Sequence, residues 1–122
     1  MNKLQAIDYF WNDFGIPAYD ENSVPDDAKF PYITYSVATD SLGNVVPMSA
    51  SIWDRSTSWV TISDKAEAIA KRLAEFGYYK IKLDVGYVWL VKGTPFAQRM
   101  SDPDDSIKRI YLNVLAEFLT AY

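Results

Sequence analysis

The amino-acid sequence predicts an α+β fold in which two helices pack on a mixed, mostly antiparallel sheet, in the order α-β-β-α-β-β-β. Two segments repeat apolar residues at helical spacing, and the other apolar segments alternate with polar residues as strands do. The length of 122 residues fits one domain, so we expect a single domain over residues 1–122. Apolar residues make up 49% of the chain, enough to form a core at this length without disulfide bonds.

The first helix is predicted over residues 3–14, with Asn2 as its N-cap and Gly15 at its C-terminal end. Its apolar stripe consists of Leu4, Ile7, Trp11 and Phe14. Residues 16–30 show no period and are rich in acidic and turn-forming residues. We expect a long loop there, which is either functional or packed as an extended arm.

Two strands are predicted next, over residues 31–39 and about 45–54, joined by a hairpin connection at 40–44. The first alternates Ile33, Tyr35 and Val37 on one face. The second alternates Val46, Met48, Ala50 and Ile52 on one face. Pro47 indicates an edge strand or a bulge. Residues 55–61 either extend the sheet past its rim or form a loop.

The second helix is predicted over residues 64–76, capped by Ser63 or Asp64 and ended by Gly77. Its apolar stripe consists of Ala66, Ile69, Ala70, Leu73 and Phe76. The segments 80–83 and 87–91 form a second hairpin.

The last part of the chain is predicted to begin with a strand break at residues 93–95, where glycine and proline interrupt the pattern. Residues 107–119 fit both a helix and a strand. We favour a long strand because the alternation holds over nine positions. The residues of its apolar face are Ile110, Leu112, Val114, Ala116 and Phe118.

The composition excludes several kinds of active site. The chain has no Cys and no His, so it offers no disulfide, no thiolate zinc site, no imidazole base and no Ser-His or Cys-His pair. Carboxylate, lysine or tyrosine chemistry remains, or no chemistry at all. This favours a binding or structural protein that is not an enzyme and has no cofactor.

The distribution of apolar residues gives no membrane span, because no run of 18 apolar residues exists. The N-terminus, Met1 to Gln5, lacks the basic and apolar regions of a signal peptide. We therefore expect no membrane partner and a cytosol-like compartment.

The net charge of −4 is unevenly distributed along the chain. Residues 1–60 hold three basic and eight acidic residues, a net of −5, and residues 61–122 hold nine basic and eight acidic, a net of +1. An acidic first half argues against a phosphate-binding surface there. The asymmetry either serves head-to-tail association between identical chains or has no function.

The best candidate for a metal site is the carboxylate group Asp102, Asp104 and Asp105, which offers ligands for a hard cation. The spacing lacks the glycine and distal glutamate of a calcium loop, and ordinary turn chemistry explains it better. We predict no metal site.

The best candidate for nucleic-acid contact combines three lysines with three tyrosines: Lys80, Lys82, Lys92, Tyr78, Tyr79 and Tyr87. A solvated sheet face explains these residues as well. We expect no sequence-specific nucleic-acid partner.

The aromatic residues offer a better candidate surface. Trp11 and Trp89 fit core stripes, whereas two other tryptophans fall off the predicted apolar face. Aromatic, arginine and methionine side chains are typical anchors of protein–protein interfaces. The predicted interface residues are Trp53, Arg55, Trp59, Phe96, Arg99 and Met100. The alternative is simple core packing.

The segment that leads into the first strand resembles a known family. Its residues are Ile16-Pro17-Ala18-Tyr19-Asp20, then Val24-Pro25, then Phe30-Pro31-Tyr32-Ile33-Thr34-Tyr35. A short N-terminal helix followed by this segment resembles the tail terminator and tail-completion proteins of long-tailed phages and prophages. The order of the predicted elements is similar to theirs over most of the chain.

The resemblance implies a homohexameric ring that caps the tail tube, stops its growth and joins it to the head. The implied partners are copies of the chain, the tail-tube protein and neck or connector proteins. The implied location is the host cytoplasm during assembly and then the virion. No catalytic residues are implied. The alternatives are another neck, head-completion or minor capsid role and a metal-dependent enzyme using the three aspartates at 102, 104 and 105.

Overall fold

The computed structural model describes residues 1–39 and 44–120. Its helices are α1 (Lys3–Trp11) and α2 (Val60–Ala74). Its strands are β1 (Ala18–Asp20), β2 (Tyr32–Tyr35), β3 (Val45–Pro47), β4 (Ala50–Arg55), β5 (Tyr79–Lys82), β6 (Tyr87–Met100) and β7 (Ile107–Leu119). The predicted α+β class, with two helices and a mixed, mostly antiparallel sheet, is confirmed.

The strands within these ranges form one seven-stranded sheet in the order β1-β2-β4-β7-β6-β5, with β3 paired to β7 beside this path. The β1–β2 pair is parallel, and the other pairs are antiparallel. Both helices pack on one face of the sheet, which we call the helix face. The opposite face, which we call the open sheet face, carries the side chains that alternate with the core residues along each strand.

Strand β7 is the central strand of the sheet, and its predicted alternation is confirmed. All five residues of its apolar face are buried, and the residues between them are half-buried. The core continues through α1, α2 and the facing strands. Its largest fully buried side chains are Trp11, Phe10, Phe118, Ile7, Ile33, Met48 and Ile52. Residues 107–119 form a strand and not a helix because the packed helices and neighbouring strands bury every second side chain.

Helix α1 begins as predicted and ends earlier than predicted. Asn2 Oδ1 accepts a 2.8 Å hydrogen bond from the Gln5 N–H, and Gln5 Oε1 accepts a 2.9 Å bond from the Asn2 N–H, a complete capping box. The helix ends at Trp11 because the Asn12 carboxamide bonds the N–H and C=O of Ala18 and redirects the chain. Leu4, predicted in the buried stripe, is exposed.

Helix α2 begins four residues before its predicted start, at Val60. Trp59 occupies the N-cap position, so neither Ser63 nor Asp64 is the cap. The Ser58 hydroxyl accepts a hydrogen bond from the Val60 N–H at 3.1 Å. Phe76 was assigned to the buried stripe, but the helix ends at Ala74 and the Phe76 side chain is 77% exposed.

The segment between the first helix and the first predicted strand contains an additional strand. Ala18–Asp20 pairs with β2 in parallel, Ala18 opposite Ile33, so the loop expected over 16–30 packs in part as a sheet edge. The second predicted strand, 45–54, is split into β3 and β4 on either side of Met48. Most of the predicted connection at 40–44 lies outside the described residues.

The predicted break at 93–95 is a bulge within one long strand. Strand β6 pairs with β7 on both sides of it, with a shift of register between Lys92 and Ala97. The Asn113 side-chain amide donates a 2.7 Å hydrogen bond to the Pro95 carbonyl, which holds the bulge against β7. The predicted interface residues Phe96, Arg99 and Met100 therefore lie within β6 itself.

None of the helices in the described ranges is both long enough and apolar enough to span a bilayer.

Candidate functional site

The open sheet face is the surface that the core does not use. On β4 and β7, Trp53 lies opposite Arg109, and Ser51 lies opposite Tyr111. On the other side of β4, Tyr32 lies opposite Trp53. Because neighbouring residues of paired strands share a face, these side chains form one patch.

The centre of this patch is the Arg109 guanidinium. It lies 4.7 Å from the ring centre of Trp53 and 6.0 Å from that of Tyr111, and its Nε donates a 3.0 Å hydrogen bond to the Ser51 hydroxyl. The Trp53 indole N–H donates a 2.9 Å bond to the Thr34 hydroxyl. Among the described residues no carboxylate lies within ion-pair distance of Arg109. The stacking on Trp53 and the bond to Ser51 fix the guanidinium, and within residues 1–39 and 44–120 its remaining N–H groups have no anionic partner.

A pocket of about 290 Å³ opens beside these side chains. Its lining includes Tyr32, Thr34, Ser51, Trp53, Arg109 and Tyr111. Aromatic rings and a rigidly held arginine are side chains that anchor protein interfaces. Trp53 was predicted as an interface residue. Arg109 and Tyr111 were not predicted as interface residues. The alternation in residues 107–119 does place both opposite the apolar face, as alternation places Trp53 off the apolar face of its own strand.

Arg55 lies near the patch but has partners within its own chain. Its guanidinium is 3.4 Å from an Asp104 carboxylate oxygen and donates a 2.8 Å hydrogen bond to the Ser106 hydroxyl. It also stacks at 5.5 Å from the ring centre of Phe30. Arg55 therefore joins the end of β4 to the turn between β6 and β7.

The aspartates of that turn serve the turn itself. Asp102 Oδ1 accepts the Asp104 N–H, and Asp104 Oδ1 accepts both the N–H and the hydroxyl of Ser106. The hydrogen bonds from Ser106, with a smaller contribution from Arg55, lower the pKa of Asp104. In the part of the chain that the structure describes, no group of three acidic side chains could hold a metal ion.

The remaining predicted residues are divided between the two faces of the sheet. Trp59 packs against the core on the helix face, with the Arg99 guanidinium 4.8 Å and the Lys108 ammonium 5.7 Å from its ring. Phe96 also packs against the core. Met100 is 37% exposed and lies opposite Arg109.

The six predicted interface residues thus form two groups and not a single patch. Trp53, Arg55 and Met100 belong to the open sheet face, and Trp59, Phe96 and Arg99 to the helix face. Trp11 lies in the core as predicted. Trp89 does not, because its neighbours Val88 and Leu90 take the core positions of β6. Trp89 instead stacks on Tyr78 on the open sheet face, with ring centres 4.6 Å apart.

Comparison with known proteins gives a likeness of fold. No protein-family model and no curated protein matches the chain. Among solved structures, the chain is similar to one chain of a structure described as the virion of native gene transfer agent (GTA) particle. The TM-score is 0.63 at 16% sequence identity, and the match covers 92% of this chain and 83% of that chain.

Proposed function

We propose that this protein is a virion structural protein of a long-tailed phage or prophage. It assembles as a ring, expected to be a hexamer, that caps the tail tube and joins it to the head. It works by binding copies of itself, the tail-tube protein and neck or connector proteins, and it catalyses no reaction.

The likeness of fold to a chain of a gene transfer agent virion carries this proposal. It extends over 92% of this chain, so it is a likeness of most of the fold and not of a shared hairpin alone. The segment that resembles tail terminator and tail-completion proteins forms the parallel β1–β2 pair.

The open sheet face gives the proposal a physical basis. A sheet covered by helices on one side leaves the other side for a partner, and here that side carries Trp53, Arg109 and Tyr111 in fixed positions. Copies of one chain form a ring when one surface of each copy binds a different surface of the next and the rotation closes. We assign contributions to these contacts to Trp53, Arg55, Trp59, Phe96, Arg99 and Met100.

Electron microscopy of particles made without this protein tests the proposal. A capped tube stops growing, so loss of the capping protein is expected to give over-long tails that lack heads. Tails of normal length beside filled, unjoined heads would indicate a head-completion role instead. Particles indistinguishable from those of a strain complemented with the intact gene would contradict both roles.

A further inference from the structure

The two ends of the sheet carry opposite charges. Strand β1 and the residues that follow it bear Asp20, Glu21, Asp26 and Asp27, which we call the acidic edge. Strands β5 and β6 bear Lys80, Lys82, Lys92 and Arg99, which we call the basic edge. Because the strand order runs from β1 to β5, these two groups lie at opposite ends of one sheet.

The acidic edge contains one exposed cation, Lys29, beside its four carboxylates, so its net charge is −3. Glu21, Asp26 and Asp27 are exposed, and within residues 1–39 and 44–120 none of the four carboxylates belongs to an ion pair. The Asn12 carboxamide occupies the backbone N–H and C=O of Ala18 on β1. A partner would therefore meet this edge through side chains more than through strand pairing.

Aromatic rings lie beside these carboxylates. The ring centres of Tyr19 and Tyr32 are 6.0 Å apart, and those of Phe30 and Tyr32 are 5.0 Å apart. Exposed charge next to packed aromatic rings is the composition of a polar rim around an interface core.

The basic edge has the complementary character. Lys80 and Lys82 lie on the open sheet face of β5, and Lys92 and Arg99 lie on the helix face of β6. All four side chains are exposed. The Lys80 ammonium lies 4.8 Å from the ring centre of Tyr87, beside the stacked Tyr78 and Trp89. The nearby Asp84 does not neutralise this edge, because it pairs at 2.6 Å with the N-terminal ammonium.

We propose that the acidic edge of one copy docks on the basic edge of the next copy. The inference rests on the proposed function and names the surfaces that would make the ring contact. Pairing of two like edges would juxtapose like charges, which is strongly disfavoured. Each copy instead offers one edge of each sign, so association is head to tail and closes into a ring when the rotation allows it.

The basic edge is assigned to a second copy and not to nucleic acid on the grounds of charge. The whole chain carries −4, so the field around it repels a polyanion, whereas the acidic edge of another copy supplies a local match. Nucleic-acid binding is therefore an outcome of the test.

Sedimentation velocity at low and high salt tests the edge contact with three charge variants. One variant carries Asp26→Lys and Asp27→Lys, the second carries Lys80→Glu and Lys82→Glu, and the third carries all four changes. We expect the wild-type chain to self-associate, more weakly at high salt. Each of the first two variants is expected to weaken association about tenfold or more, because like charges then face each other.

Restoration of the contact is the decisive observation. An equimolar mixture of the first two variants places a doubly basic chain beside a doubly acidic one, so the mixture is expected to associate where neither does alone. The third variant exchanges the signs of the two edges and is expected to associate by itself. Lys71→Glu on α2 and Glu75→Lys at its C-cap, both at exposed positions, are the matched controls and should change little. Circular dichroism confirms that each variant is folded.

Three results would overturn the edge contact. The first is a wild-type chain that stays monomeric at about 1 mM, the weak end of specific affinities. The second is association that ignores all the reversals, which leaves the proposed function standing with other contact surfaces. The third is that the wild-type chain binds a duplex DNA oligonucleotide, and that Lys80→Glu and Lys82→Glu abolish this binding but leave self-association unchanged. Tail length in particles lacking the protein tests the proposed function independently of these edges.

Discussion

The hydroxyl of Tyr35 shows how a single side chain joins α1 to the sheet. Tyr35 is buried on β2, and its hydroxyl donates a 2.8 Å hydrogen bond to the Asp8 carboxylate on α1. Burial, and then the bond to Asp8, raise the pKa of the Tyr35 phenol well above its ordinary value. The folded chain therefore keeps this proton at a pH where the unfolded chain loses it.

The first prediction concerns Tyr35→Phe. At neutral pH the loss of one hydrogen bond is expected to lower the free energy of unfolding by about 1 kcal/mol. A raised phenol pKa leaves stability unchanged below about pH 10 and lowers it as the pH rises beyond that value. Urea unfolding at pH 7 and above pH 10 is expected to show a smaller alkaline loss for Tyr35→Phe than for the wild type. Tyr9→Phe, at an exposed phenol, is the control, and an equal alkaline loss in both variants would contradict this account.

Gly86 and Gly77 provide a matched pair of residues for the second prediction. Both adopt a positive φ, +87° and +81°, which disfavours any side chain. A Cβ at Gly77 would meet open space, whereas one at Gly86 would lie 2.0 Å from the carbonyl oxygen of Leu119. Gly77→Ala therefore bears only the backbone strain, about 1–2 kcal/mol. Gly86→Ala bears that strain and a displacement of β7 from the β5–β6 turn.

Chemical denaturation of the two glycine variants measures the difference. We expect Gly86→Ala to lower the free energy of unfolding by at least about 2 kcal/mol more than Gly77→Ala, in the range of overpacking in a tight site. Equal losses in the two variants would show that the β5–β6 turn accommodates a Cβ at Gly86 without loss of stability, and would contradict the prediction.

At the level of single residues, the sequence predicted part of the candidate site. Trp53 was predicted because it falls off the apolar face of its strand. Its partner Arg109 was missed, since alternation within a strand does not say which strand will lie beside it. The Arg109–Ser51 hydrogen bond joins residues 58 positions apart. The pairing of β4 with β7, and so the patch, is a property of the tertiary fold.

At the level of elements, the period of the apolar residues predicted the strands and helices whose alternate side chains are buried. It did not predict the ends and bulges that are set by a single side chain bonding the backbone of another segment. The alternation in residues 107–119 identified β7 because the core buries every second residue there. The early end of α1 depends on the Asn12 carboxamide and Ala18, and the continuity of β6 depends on Asn113 and Pro95. These are single contacts between segments that the local sequence pattern does not reveal.

The third prediction distinguishes a strand from a helix in β7. Leu112 and Leu115 would share one face of a helix, but in the strand Leu112 is fully buried on the helix face and Leu115 is half-buried on the open sheet face. Leu112→Ala is expected to lower the free energy of unfolding by about 2–5 kcal/mol, as in other cores, and Leu115→Ala by clearly less. Urea titrations of both variants measure this, and similar losses would contradict the assigned faces.

For the whole molecule, the separation of charge is clearer in space than along the chain. The halves of the sequence differ by a net of −5 against +1. In the fold, two acidic groups of the second half, Asp84 and Asp104, have ion-pair partners. Among the described residues, the charges without ion-pair partners at the ends of the sheet are acidic near β1, apart from Lys29, and basic on β5 and β6, and this supports the proposed assembly.

The last prediction uses Met100 to separate assembly from folding. Its side chain is 37% exposed on the open sheet face near the end of β6, and a carboxylate there lies beside Arg109, so Met100→Glu should lower the free energy of unfolding by no more than about 1 kcal/mol. If this face meets a neighbouring copy or the tail tube, the new carboxylate lies beside Arg109 and occupies the guanidinium that would otherwise face the partner, so the change is expected to reduce incorporation of the protein into particles strongly. Tyr9→Glu, at an exposed aromatic residue of α1, is the matched control. Complementation of a strain that lacks the gene, with tail length and the protein content of purified particles as readouts, measures both variants. Normal tails with Met100→Glu would remove this residue from the contact surface, whereas a selective loss relative to Tyr9→Glu would place the open sheet face within the assembled particle.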